Sequence, residues 1–181
     1  MTIRKKNPAY ARLFAFSLLT FLLISACGGE SETTLNTYPA APTFEQLANL
    51  RYPTVFAKGS AARLEDGLWR SRVAHFSNRV YASIRLADSY AAGDLDGDGA
   101  PDAAVVLVSS PGEVGAFLEL QAVLNKPEGL RPAASAYLTE LAEVGALEIE
   151  AGEIKVTIQR EGGEEMILRY RLEGDRLIEI R

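Results

Sequence analysis

Gly93-Asp94-Leu95-Asp96-Gly97-Asp98-Gly99-Ala100-Pro101-Asp102, followed at once by Ala103-Ala104-Val105-Val106-Leu107-Val108, is the stretch on which the reading of this chain turns. Asp94, Asp96 and Asp98 stand at every second residue, and Asp102 follows four residues on. Carboxylates this close raise one another's pKa and oppose a compact loop unless a cation sits among them. Calcium takes six to eight hard oxygens at ~2.3–2.6 Å, and a curled loop with side chains at its first, third, fifth and ninth positions supplies such a shell. Gly97 and Gly99 permit the curl, because glycine reaches positive φ without a Cβ clash. The expected site is one calcium ion held by Asp94, Asp96, Asp98, the Ala100 carbonyl and Asp102. A metal-free hairpin turn would need one or two such residues rather than four spaced carboxylates. Ala103 to Val108 has no polar side, which predicts a central strand buried on both faces.

The flanks distinguish this loop from a helix–loop–helix site. With Asp94 as its first position, Gly99 falls at the sixth, where an EF-hand loop turns sharply, but the twelfth is Val105 rather than a bidentate Glu. Val80 to Leu86 upstream alternates, so the loop joins two strands. It resembles the calcium loops of integrin-type FG-GAP repeats, and the resemblance implies Asp102 as the bidentate ligand. The motif occurs once, so the several blades of a propeller are not implied.

At the N-terminus, Arg4, Lys5, Lys6 and Arg12 precede an apolar run from Leu13 to Ile24, with no acid among them. A positive region followed by an apolar stretch too short for a comfortable span reads as a signal peptide over residues 1–26. Leu23-Ile24-Ser25-Ala26-Cys27 resembles the bacterial lipobox, which implies diacylglycerol on the Cys27 thiol and cleavage before it. The chain has one cysteine, so the mature protein forms no intramolecular disulfide. Removing the four basic residues of the leader leaves fifteen basic against twenty-four acidic residues, a net charge near −9. That balance argues against nucleic acid and against an electrostatic grip on anionic lipid, leaving the acyl chains to anchor.

Residues 27–42 are polar, small and proline-punctuated, which reads as a lipidated flexible tether. Thr43 with Gln46 offers a capping box for a short helix running to about Leu50. Residues 43–181 then read as a single domain, large enough to bury a core unaided. Asp66-Gly67 between apolar residues signals a hairpin. Val80–Leu86, Leu118–Leu124, Ile154–Ile158, Met166–Leu172 and Leu177–Ile180 alternate as strands, and Pro132 to Glu143, Ala-rich enough for a helix, is expected instead as a short strand and loop. The expected fold is α+β, mostly antiparallel: seven or eight strands in a curved sheet or β-sandwich, with one short N-terminal helix.

GDLDGDGAPDAAVVL, FLELQAVLN (Phe117–Asn125) and RYRLEGDRL (Arg169–Leu177) resemble a group of uncharacterised bacterial lipoproteins. That likeness implies an anchored, extracytoplasmic, single-domain protein of the cell envelope, and no activity. His75 is the only histidine, and neither a G-x-S-x-G nor a P-loop is present, so common catalytic constellations have little to work with. Glu119, Glu148, Glu150 and Glu153 read as solvated strand faces and turns. The expected function is a monomeric, calcium-stabilised binding module, tethered to the membrane through Cys27 and contacting an envelope protein or glycan, without catalysis. The alternative is an envelope hydrolase or inhibitor-like protein with a carboxylate-lined cleft, favoured by a perturbed carboxylate in a cleft away from the loop.

Overall fold

The computed structural model describes residues 39–57, 59–74, 79–111, 115–160 and 162–180. The leader, Cys27, the tether up to residue 38, and His75 lie outside them. The fold is mostly antiparallel β with one short helix near its start, in agreement with the sequence reading.

Helix α1 (Phe44–Leu47) begins at the expected capping box: the Thr43 hydroxyl accepts from Gln46 N, and Thr43 N donates back to Gln46 Oε1. It ends at Leu47 rather than near Leu50. The Ala48 and Leu50 carbonyls accept from Gly67 and Leu64, which draws the chain into the next segment instead of another helical turn. Strands β1 (Arg51–Pro53) and β2 (Ala61–Arg63) pair as a small ladder. At the Asp66-Gly67 turn both residues have positive φ, 50° and 77°, and Glu65 and Leu68 exchange backbone hydrogen bonds of 3.0 and 3.1 Å. This is the primed-turn geometry that Asp-Gly favours. Beyond that bridge the flanking strands part, since β2 pairs with β1 while β3 (Leu68–Ala74) enters the main sheet.

The main sheet is an antiparallel meander of β3, β4 (Arg79–Gly93), β5 (Asp102–Pro111), β6 (Phe117–Lys126) and β7 (Gly129–Glu140), curled as a half-barrel. A second sheet carries β8 (Ala142–Glu150), β9 (Glu153–Arg160), β10 (Glu165–Glu173) and β11 (Arg176–Ile180), again neighbouring in chain order. The described residues thus contain eleven strands, more than the seven or eight expected. Strand β1, where no strand was expected, adds to the count, and β7 is long where a short strand and loop were expected. Pro132 sits at a register shift of this edge strand, opposite Val123, where a missing N–H is tolerated.

The β5 strand is the middle of three layers. Ala104, Val106 and Val108, with Leu118, Leu120 and Leu124 of β6, face Ile154, Val156 and Ile158 of the second sheet. Ala103, Val105 and Leu107 face the other way, onto Leu47, Tyr52, Ala62 and Leu64 of the N-terminal segment. Ala103 through Leu107 are fully buried, as the apolar run predicts. Each such Val or Leu contributes about 1.5–3 kcal/mol relative to exposure. Bulges in β4, between Leu86 and Tyr90, and in β8, between Val144 and Leu147, face each other, and Ser89 Oγ donates to the Gly145 carbonyl at 3.3 Å. This packing lays Gly93, the last residue before the acidic loop, directly on Ile149.

Candidate metal centre

The acidic loop spans the gap between Gly93 and Asp102, which are paired residues of β4 and β5. One apolar side chain, Leu95, pins it to the main core, and Ala100 within the loop is buried as well. The short polar side chains then fold the backbone around themselves. Asp94 accepts from Gly97 N at 2.7 Å and from Gly99 N at 2.9 Å, Asp96 from Asp98 N at 3.3 Å, and Asp98 from Ala100 N at 2.8 Å. These are the local side-chain-to-backbone bonds by which aspartates shape turns.

Asp102 is fully buried at the head of β5. One of its carboxylate oxygens accepts from Leu95 N at 2.9 Å, the other from Asn125 N at 2.8 Å. Burial raises its pKa, and the two backbone donors oppose that rise. Carboxylate oxygens of Asp94, Asp96 and Asp102 lie within 4.8 Å of one another, and this trio could hold a metal ion. Each oxygen has lone pairs to spare beyond its backbone contact.

Asp98 stands outside the trio. Lys126, at the end of β6, bridges it to Asp96, with Nζ 2.5 Å from Asp98 Oδ2 and in a salt bridge with Asp96 Oδ2. The lysine lowers the pKa of Asp98 and is itself held firmly protonated by the two carboxylates. Of the expected ligand set the structure therefore gathers Asp94, Asp96 and Asp102, places Asp98 on the lysine side, and buries Ala100, whose N–H is taken by Asp98.

Sequence reasoning missed Asn125 and Lys126 as partners of the acidic loop. A signal existed: a β5–β6 hairpin that sets Ala103 opposite Val123 carries residue 125 to the level of the loop's end. The Asn125 side chain is buried, and its Nδ2 donates to the Pro101 carbonyl at 3.1 Å and the Ala40 carbonyl at 2.9 Å. Folded contacts thus begin before Thr43, with Pro42 also buried.

The solvated reading of Glu119 is overturned. It is buried beneath the N-terminal segment, bonded to the Thr54 hydroxyl at 2.5 Å, because that segment covers the outer face of β6. Glu148 and Glu153, by contrast, pair with Lys155 and Arg171 at the surface, at 2.9 and 2.5 Å. Burial raises the Glu119 pKa and the Thr54 hydrogen bond opposes it. A carboxyl whose folded pKa exceeds its unfolded value of 4.5 contributes stability that is complete below that value and is lost as pH rises through the folded pKa. Glu119→Gln, which keeps an acceptor for Thr54, should therefore be more stable than the wild type at pH 7, with the advantage closing below pH 4.5; urea melts of both proteins across that range decide it.

Two recesses open on the surface of the domain, one of them beside the loop. A cleft of about 700 Å³ between the bulges of β4 and β8 has Arg85, Asp88, Glu143 and Arg160 over a floor that includes Val108 and Leu118; Glu119 is not among its lining residues. A groove of about 320 Å³ beside the acidic loop is lined by Gly93, Asp94, Gly97, Ile149, Ala151 and Gly152. Comparison with protein-family models, with curated proteins and with solved structures finds no match to this chain.

Proposed function

We propose that this chain is a lipid-anchored protein of the bacterial cell envelope, whose β domain is held in shape by one calcium ion and serves as a binding module for an envelope protein or glycan. The observation that carries the reading is the meeting of the Asp94, Asp96 and Asp102 carboxylates at the junction of β4, β5 and β6. Hard oxygens from carboxylates suit calcium, with Asp98, a backbone carbonyl such as that of Ala100, and water completing the shell. Magnesium suits it less, because it demands a tight octahedron and gives up water reluctantly. Without a metal, the Lys126 ammonium neutralises part of the cluster; a divalent ion on the trio takes Asp96 from it.

The basic leader, the apolar run and the Leu23–Cys27 motif support the anchor, since two or three acyl chains at ~0.8 kcal/mol per buried methylene hold a protein to a membrane. We assign no catalytic step to the domain.

At roughly millimolar calcium and a Kd of ~10⁻⁴ M, mass action adds about 1.4 kcal/mol, or a melting shift of about 3–6 °C. Asp96→Asn should lose that shift, and magnesium should fail to produce it. Protein recovered from its own cells should carry acyl mass on Cys27 and enter the detergent phase, whereas Cys27→Ser should stay aqueous. A wild-type protein of unmodified mass in the aqueous phase rules out the anchor.

A further inference from the structure

The cleft between the bulges of β4 and β8, of about 700 Å³, shares no residue with the acidic loop. That volume falls within the ~300–1,000 Å³ of pockets that take small molecules. Its floor is apolar: Ala87, Val108 and Leu118 are buried core residues, and Val144 is half-buried beside them. Both walls break their ladders here, since residues 87–89 have no partner on β5 and residues 145–146 none on β9. Bulges of this kind re-aim side chains and collect beside active sites. At the lip, Leu141 takes a positive φ of 53° with more than half its surface exposed, a conformation that bulky side chains rarely adopt. Its N–H donates to the Ala116 carbonyl at 2.9 Å, which ties the lip to the head of β6. Residues held in such conformations cluster at ligand clamps.

The charges of the rim select the ligand. Arg85 and Asp88 stand on the β4 wall, Glu143 and Arg160 on the wall of β8 and β9, so each wall carries one guanidinium and one carboxylate. Among the described residues none of the four pairs with another, and the one salt bridge they make, Arg160 to Glu164 at 4.0 Å, is long and exposed. A rim of mixed sign repels a polyanion, and an apolar floor disfavours a wholly polar ligand. No lining residue is aromatic, so a ligand that binds by ring stacking does not fit. We propose that the cleft binds a short peptide with free termini, its apolar side chain on the floor, its ammonium at Asp88 and Glu143, and its carboxylate at Arg85 and Arg160. Arginine suits the last role because its planar fork matches a carboxylate. The proposal rests on the binding-module reading and deepens it with a place and a ligand class, and it needs neither the metal nor the anchor.

The test titrates the full chain, with Leu and Val methyls labelled for NMR, with the peptide Ala-Leu-Ala. Saturable shifts should appear at Val108, Leu118, Leu141 and Val144. Acetylating the peptide's amine or amidating its carboxylate should each weaken binding about threefold to tenfold, the worth of a charge-assisted hydrogen bond. Replacing the central Leu by Ser should weaken it by a similar factor. In the double variant Arg85→Ala with Arg160→Ala, the free acid and the amide should bind alike; both arginines are exposed, so the core is untouched. Silence at the four methyls up to about 10 mM peptide, tenfold above a Kd of ~1 mM, overturns the proposal. Equal affinity of the wild type for all three end groups overturns the charge assignment. A parallel titration with soluble cell-wall glycan separates the two readings: shifts confined to methyls outside the cleft overturn this site and uphold a binding module. Silence in both titrations overturns this site and the glycan arm of that reading together.

Discussion

Asp102→Ala is expected to be the most damaging substitution in the loop, at about 2–6 kcal/mol in calcium-free buffer. The carboxylate is fully buried and accepts from Leu95 N and Asn125 N at 2.9 and 2.8 Å. Alanine leaves both donors buried without partners, and each such group costs roughly 1–3 kcal/mol. Against a total stability on the order of 5–15 kcal/mol, the variant sits near the edge of folding. Asn is only half a remedy, since its oxygen serves one N–H while its NH₂ faces the other. Urea denaturation with chelator present isolates this structural role from metal binding. A loss under about 1 kcal/mol would mean that the two backbone donors find other partners.

The second large effect is expected at Gly93. A Cβ built there would lie 2.6 Å from Ile149 Cγ2, closer than side-chain carbons approach, and a tight 3.0 Å from Ile149 Cβ. Its φ is not positive, so the restriction is one of space and not of backbone conformation. Gly93→Ala must push β8 away from the start of the acidic loop, and overpacking of this kind costs about 1–3 kcal/mol. Trimming the neighbour relieves the clash, so Gly93→Ala with Ile149→Ala should be more stable than the sum of the two single losses allows. A double-mutant cycle measures that coupling, which residues in direct contact show at about 0.5–3 kcal/mol. Strict additivity would place the two residues out of contact.

What the sequence disclosed was local. The absence of any polar residue between Ala103 and Val108 announced a strand buried on both faces, and that strand is the middle layer. Thr43 with Gln46, and Asp66 with Gly67, each need only their neighbours to act, and both form as expected. What it concealed depends on elements brought from far away. Glu119 alternates with apolar residues as a solvated side chain would, yet the N-terminal segment covers that face and Thr54, 65 residues distant, takes its carboxyl. Pro132 heads a stretch expected as a short strand and loop, but it falls at a register shift of an edge strand, where a missing N–H is tolerated and the strand runs on to Glu140. The acidic spacing pointed to the loop, and three of its four aspartates do converge. That Lys126 would divert Asp98, and that Asn125 would reach back to Ala40, follows from hairpin register and not from composition.

Calorimetric titration of the chelated protein with calcium is the most direct test of the metal centre. One ion per chain should bind with a Kd of order 10⁻⁴–10⁻³ M, the range of extracellular calcium modules, and magnesium should give little heat. Asp96→Asn should bind at least tenfold more weakly, because one of the three converging carboxylates is lost. Absence of heat and of any thermal shift up to about ten millimolar calcium, beyond the weakest of such modules, would contradict the account and leave Lys126 as the loop's only counter-charge among the described residues.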